Sequence, residues 1–541
     1  MLDAMSTPAP ATAVTPRTAP TPDVALARRQ AICDVVHRSA ARFGNRVALV
    51  GDAEEHVTYA ELDEQASRLA NGLLARGVEP GDHVALLSRN SLDYVRVIVG
   101  VARAGAVLVP VNFMLGAREV AYVLGHAGVT ALFAETPLIP VAQEAVALAE
   151  VELRGRFAIG EDADGWSHLS ELLSHATTTD PGVAMAVDAP AQVLYTSGTE
   201  SRPKGAVLSH DALLAQYASC AIDGEMTGDD VEVHALPLFH CAQQHCFLLP
   251  GLMLGARNVV LPGPDPALLL AALEEHRATK LFCPPTVWIS LLRHPDFDRR
   301  DLSALRKGYY GAAIMPVEVL HELQERLPDV RLWNFYGQTE LAPLAVVLRP
   351  EDQLRKAGSA GRAALHVTTR VVDPDGHDVA VGEAGEVVHR TPHAMLGYLD
   401  DPERTEEAFR DGWFHSGDLG VLDDDGYLTV VDRIKDMIKT GGENVASREV
   451  EETIYAHPDV AEVAVVGLEH PTWIEVVVAL VVLRDGASVT GEELRAHARS
   501  QLAGFKAPKV VRIVDALPKN PSGKVLKREL RATWQGLAEE A

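Results

Sequence analysis

From Thr58 onward the chain alternates helix-length stretches with short apolar runs, and that rhythm restricts its fold more than any other feature. TYAELDEQASRLANGLLARG opens on a Thr-x-x-Glu capping pattern, carries Leu62, Ala66, Leu69 and Leu73 at helical spacing, and stops at Gly77. It predicts a helix with one buried face. HVALLS follows as a strand-length run. AVLVPV, VTALFA, AQVLYT, VEVHALP and VRLWNFY continue the series, with helical segments such as LLAQYASCAI between them. Strands alternating with helices predict parallel sheets. Past about Asp432 the texture changes: EVAVVGL and IEVVVALVVL read as strands, TGEELRAHARSQL as a capped helix, and FKAPKVVRIVDALPKNPSGK as extended chain bearing lysines. At 541 residues the chain exceeds what one core organises. The expected architecture is α/β: a large N-terminal domain of parallel-sheet α/β subdomains over residues 24–432, and a smaller α+β C-terminal domain over 433–541.

Composition removes several functional classes. A formal charge of −26 argues against nucleic acid, whose phosphates are bound by clustered Lys and Arg. The longest apolar stretch, Val97 to Val111, contains Arg103 and falls short of the ~20 apolar residues a membrane helix needs, so no transmembrane segment is expected. The five cysteines form no CxxC pair, which suggests neither a disulfide framework nor a zinc site. A cytoplasmic enzyme fits these features. Residues 1–23, rich in Pro, Thr and Ala without a periodic apolar face, read as a disordered lead.

YTSGTESRPKG, Tyr195 to Gly205, follows the strand AQVLYT, so its backbone amides would lie at a strand's carboxyl end, where open α/β sheets bind ligands. Its hydroxyls, glycines and lysine suit a phosphate chain. Glu200 does not, and the loop departs from the GxxxxGK[ST] pattern because Lys204 lies between Pro203 and Gly205. By itself the loop leaves phosphate binding and a plain surface turn both open. Four further segments narrow the choice: NFYGQTE (Asn334 to Glu340), HSGDLG (His415 to Gly420), DRIKDMIKTGGENV (Asp432 to Val445) and PKNPSGK (Pro518 to Lys524).

In order and separation these segments resemble the motifs of the adenylate-forming superfamily of acyl-CoA synthetases, peptide-synthetase adenylation domains and luciferases, and most nearly its medium- and long-chain acyl-CoA ligases. The resemblance covers nearly the whole chain from about residue 30 and implies an ATP-dependent ligase that converts a hydrophobic carboxylic acid, such as a fatty acid, to acyl-AMP and then to a coenzyme A thioester. By the same resemblance Thr196, Ser197, Gly198, Thr199 and Lys204 grip the β- and γ-phosphates, Thr339 bonds the α-phosphate, and Glu340 holds Mg²⁺. Asp418 takes the ribose hydroxyls with Arg433 beside it. Adenine lies against Gly311, Ala312, Ala313 and Tyr336, with Asn334 and Gly337 in the same motif.

Lys524 is the expected catalytic cation, carried on a mobile small domain that turns at the hinge residue Lys435; Gly441 and Gly442 then line the tunnel for the pantetheine arm. His240, in PLFHCAQQHC, either gates or positions the acyl carboxylate or is a buried structural histidine. Relatives in the superfamily commonly have glycine shortly after this histidine. Gln243 and Gln244 stand there instead, which leaves the polarity of the acyl pocket open. The Cys241, Cys246, His240 and His245 spacing matches no standard zinc pattern. The expected partners are the acid, ATP and CoA, with a homodimer allowed for. The alternatives are an enzyme that passes acyl-AMP to an amine or carrier-protein thiol, a luciferase-like oxygenase, and a nucleotide-binding protein spoiled by Glu200.

Overall fold

A computed structural model describes residues 21–51, 55–196, 203–313, 315–440, 443–519 and 525–540. The helix expected after Thr58 is Tyr59–Ala75, and its cap has the predicted reciprocal form. Thr58 Oγ1 accepts from the Glu61 amide at 3.2 Å, and Glu61 Oε2 accepts from the Thr58 amide at 2.8 Å. Leu62, Ala66, Leu69 and Leu73 are fully buried. A helix Pro22–Ala27 takes in the last two positions of the lead expected to lack structure; residues 1–20 lie outside the described residues.

Two large sheets carry the N-terminal part. The first orders its strands Gly397–Tyr398, Lys204–Ser209, Pro190–Thr196, Val107–Val111, His83–Leu87, Ala131–Glu135, Gly155–Ile159 and Ser167–His168. The six from Pro190–Thr196 to Ser167–His168 are parallel, as the rhythm predicts. In the second, strands Arg331–Gly337, Lys307–Gly311, Lys280–Phe282, Val231–His234, Arg257–Val260 and Val47–Val50 run parallel. Antiparallel strands close its edges: Leu344–Leu348 and Arg362–Ala363 at one, His56–Thr58 at the other. One core lies inside, where helices Ile32–Phe43, Tyr59–Ala75 and Leu92–Arg103 pack with Leu208 and Leu252; separate cores face the outer helices of each sheet.

A third sheet was not anticipated. Thr368–Val372, Ala384–Arg390, Trp413–Leu422, Phe409–Arg410 and Leu428–Arg433 pair throughout as antiparallel neighbours. The Asp-Gly turns at 375–376 and 425–426 are hairpin signals that a search for strand–helix alternation passes over. The C-terminal sheet, Ile438–Thr440, Glu443–Val445, Val460–His470, Ile474–Leu483 and Val510–Ile513, has a core on each face, as a small α+β unit requires. All five cysteines are buried and unbridged. Among the described residues no helix is long and apolar enough to cross a membrane.

Candidate active site

The candidate residues meet where the second sheet, the third sheet and the hairpin of the first come together. Pairing of Trp413–Leu422 with Leu428–Arg433 puts Asp418 opposite Arg433, whose Nε lies 2.6 Å from Asp418 Oδ1. The other carboxylate oxygen accepts from the Tyr336 hydroxyl at 2.5 Å and Gln338 Nε2 at 3.0 Å. Gln338 also donates to the Ser416 carbonyl at 2.9 Å. Asp418 is 3% exposed, so these donors offset the cost of burying its charge. Burial, with the Asp418 charge, pushes the Tyr336 phenol far above its ordinary range and keeps it a donor. Asn334 sits on the same side of the strand as Tyr336 and is buried.

The predicted phosphate loop joins two antiparallel strands, with Thr196 opposite Lys204. Helix Ala117–His126 holds both shoulders of it: Tyr122 donates to the Pro203 carbonyl at 3.2 Å, and His126 Nδ1 lies 2.8 Å from the Tyr195 hydroxyl. Gly397–Tyr398 lies beside Lys204–Ser209 as the next strand, so the Lys204 ammonium sits 5.1 Å from the centre of the Tyr398 ring. The Tyr398 hydroxyl donates to Glu340 Oε1 at 2.8 Å. One tyrosine therefore connects the candidate phosphate lysine to the candidate Mg²⁺ carboxylate. Burial, and then the Glu340 charge, raise the Tyr398 phenol.

Glu340 lies in the turn Thr339–Leu341, which ends at Ala342 with φ 66°. Two glycines let backbones approach here. A Cβ on Gly337 would stand 1.8 Å from the Pro343 carbonyl oxygen, and one on Gly311 2.5 Å from that of Phe335. Ala312, in the predicted adenine wall, takes φ 63°, a conformation that costs a non-glycine residue about 1 kcal/mol. The turn also touches the predicted acyl side, since Cys241 Sγ lies 3.2 Å from Thr339 Oγ1. Residue His240, half-buried, precedes the π-helix Ala242–Leu248, a rare form concentrated at functional sites. Inside that helix His245 is fully buried between the Tyr217 hydroxyl (2.7 Å) and Gln192 Oε1 (3.0 Å), and burial lowers its pKa to about 3. Gln243 Nε2 donates to His234 Nδ1 at 2.6 Å, which gives this replacement for glycine a structural task.

Lys435 occupies the turn Ile434–Asp436 between the third and C-terminal sheets; burial, with the Arg433 charge, lowers its pKa. Polar ties flank the turn. Asp436 pairs with Arg531 at 2.7 Å, while Asp432 Oδ2 accepts from both the amide and the hydroxyl of Ser447 at 2.7 Å. Ser197, Gly198, Thr199 and Glu200 of the loop, Gly441 and Gly442 of the tunnel, and Lys524 lie outside the described residues. The site thus brings together Asp418, Arg433 and Tyr336, sets Thr339 against Cys241, and connects Lys204 to Glu340 through Tyr398. Sequence reasoning missed Gln338, Ser416 and Tyr398. Gln338 and Ser416 stood inside quoted motifs, whereas LGYL around Tyr398 carried no signal of its own.

Two family models match the chain: AMP-binding enzyme over residues 36–399, and AMP-binding enzyme C-terminal domain over 449–524. A feruloyl-CoA synthase of an Amycolatopsis species is 39% identical over 491 residues, covering 91% of this chain and 96% of that one. A long-chain-fatty-acid–CoA ligase of Mycobacterium tuberculosis is 35% identical over 478 residues, 88% of this chain and 93% of its own length. Among solved structures, the amide bond synthetase McbA from Marinactinospora thermotolerans superposes with a TM-score of 0.84 at 31% identity, covering 93% of this chain and 99% of that one.

Proposed function

The chain belongs to the AMP-binding enzyme family, and from that premise we propose that it is an AMP-forming acid–thiol ligase acting on a compact hydrophobic carboxylic acid. The observation that carries this reading is the meeting of two groups where strands of three sheets come together: Asp418 with Tyr336, Gln338 and Arg433, and Lys204 with Tyr398 and Glu340. The first suits a ribose, the second a phosphate chain with its counter-ion.

A carboxylate is a poor electrophile until AMP replaces its oxygen as the leaving group. In-line attack of the acid on the α-phosphorus spreads charge over the phosphate oxygens, and fixed cations and donors lower that barrier. Lys204 supplies a cation at the β- and γ-phosphates, with Thr196 and the loop residues Ser197, Gly198 and Thr199 donating beside it. Thr339 donates to the α-phosphate. Glu340 has the donor chemistry to hold Mg²⁺, which when bound neutralises phosphate charge. Asp418 accepts from the ribose hydroxyls, Arg433 adds a donor, and Gly311 to Ala313 with Tyr336 flank the adenine. His240 positions the acid. The small domain, from residue 433, brings Lys524 to the carboxylate and α-phosphate, then turns at Lys435 so that Gly441 and Gly442 line the path of the CoA thiol.

Two features favour a compact acid over a long fatty chain. Beyond the Cys241–Thr339 contact, Phe247 is stacked on Phe282 with centroids 4.2 Å apart and on Phe335 at 5.6 Å, and Tyr309 stacks on Trp333, leaving little room for an extended alkyl tail. The named acid of the 39% identical relative, ferulic acid, is aromatic. An amine acceptor is the second reading, favoured by the likeness to an amide bond synthetase. The test is pyrophosphate release over arylpropenoic, arylacetic and C6–C16 fatty acids, with and without CoA, followed by product analysis. The reading expects turnover and a CoA thioester with arylpropenoic acids; preference for fatty acids of C12 or longer, or an amide product, contradicts it.

A further inference from the structure

The turn Thr339–Leu341 is pinned at two points of Glu340. Its side chain accepts from the Tyr398 hydroxyl at 2.8 Å, and its carbonyl accepts from the Met395 amide at 2.8 Å. Thr339, the residue assigned to the α-phosphate, is held differently. Among the described residues its hydroxyl meets one hydrogen-bonding partner, Cys241 Sγ at 3.2 Å. A threonine hydroxyl carries one proton and two lone pairs. Donation to a phosphate uses the proton, and a donor on one of the lone pairs keeps the hydroxyl from rotating that proton elsewhere.

Cys241 is placed and protonated for that task. It is 2% exposed, and burial pushes its thiol up to about 12, so the sulfur keeps its proton at neutral pH. Two acceptors lie near it: Thr339 Oγ1 and, at 3.8 Å, His240 Nδ1. The imidazole nitrogen already accepts from the Ala242 amide at 3.3 Å, which assigns the ring proton of neutral His240 to Nε2. The S–H group, a weak donor, is therefore left to the nearer oxygen. Cys241 also follows His240 directly and leads into the π-helix Ala242–Leu248. A bond from its thiol to Thr339 ties the segment assigned to the acid to the turn assigned to the phosphate. In-line attack depends on that alignment, because a displacement of about 1 Å can cost roughly a hundredfold in rate.

We propose that Cys241 is a positioning residue for acyl-AMP formation, whose S–H donates to Thr339 Oγ1 and so turns the threonine's own proton toward the α-phosphate. The inference rests on the acid-activating reading of the site and adds to it a residue that touches neither substrate.

Cys241→Ser and Cys241→Ala are close in volume and differ in the donor, so the pair separates hydrogen bonding from packing. Each is measured by pyrophosphate release with an acid the wild type turns over, and by thioester formation from supplied acyl-AMP. Cys241→Ala should lower kcat for pyrophosphate release about tenfold with the KM values for ATP and acid within about threefold, because alignment rather than binding is lost. Cys241→Ser should keep kcat within about threefold of the wild type, since its hydroxyl donates in the thiol's place. Thioester formation should be unchanged in both. Equal rates of pyrophosphate release in the two variants, or an equal fall in both half-reactions with Cys241→Ala, overturn the proposal.

Infrared difference spectra of the wild type add a reading apart from turnover. The S–H band missing from Cys241→Ser should move to lower frequency when ATP and magnesium are added, as the Thr339 oxygen becomes a stronger acceptor once its proton is given to phosphate. An unmoved band overturns the proposal. If the wild type releases no pyrophosphate with any acid, the acid-activating reading fails and this inference with it; wild-type turnover with equal rates in the two variants defeats this inference alone.

Discussion

Three donors converge on the buried carboxylate of Asp418, so its removal should be felt in binding before it is felt in chemistry. A hydrogen bond to a charged group contributes about 1.5–3 kcal/mol, equivalent to roughly ten- to a hundredfold in affinity. Asp418→Asn is therefore expected to raise the KM for ATP at least tenfold in a pyrophosphate-release assay; a change below twofold would remove Asp418 from the nucleotide site. The buried histidines make a second prediction. Burial lowers the pKa of His210 and His393 to about 4 and of His245 and His389 to about 3, from an ordinary 6.5. Below pH 6.5 the unfolded chain takes up protons that the folded one refuses. Their stabilising contribution is therefore complete above pH 6.5 and falls with pH by up to about 1.4 kcal/mol per unit for each histidine, until the folded pKa is reached. Urea unfolding at pH 6.5 and 5.5 should show this loss, and His393→Gln should reduce it by about 1 kcal/mol; an unchanged slope would contradict the assignment. Asp418 and Glu340 were legible because each stands in a motif. Tyr398 was not, because it reaches Glu340 from 58 positions away through strand pairing that no local pattern encodes.

The turn after strand Arg331–Gly337 depends on the absence of a side chain. Because a Cβ on Gly337 would stand 1.8 Å from the Pro343 carbonyl oxygen, Gly337→Ala must move backbone and displace Thr339 and Glu340 with it. The expected result is loss of pyrophosphate release by at least a hundredfold with helical and strand content preserved by circular dichroism. Near-normal turnover would mean that the turn does not position the reacting groups. Elements with strong local periodicity, such as Tyr59–Ala75 with its reciprocal cap, were readable in advance. The antiparallel strands from Thr368 to Arg433 were not, since many are short or half-exposed and their pairing is set by hairpin turns rather than by an apolar run. The strand expected to end before the loop at Thr196 does end there, but the return of the chain as the antiparallel strand Lys204–Ser209 was invisible because strand direction is a tertiary property.

At the scale of the whole molecule, the proposed reaction is divided between two units joined at the turn Ile434–Asp436. Lys524→Ala should cripple acyl-AMP formation while sparing thioester formation from supplied acyl-AMP. Gly442→Leu should do the reverse by filling the thiol's path. Equal loss of both half-reactions in either variant would contradict the division. The most direct test of the central claim is the identity of the nucleotide product. With acid, ATP and magnesium but no CoA, mass spectrometry should detect enzyme-bound acyl-AMP and one pyrophosphate for each; adding CoA should convert the intermediate to acyl-CoA and AMP in equal amounts. Formation of ADP and inorganic phosphate, with no acyl-AMP at any time, would contradict the account.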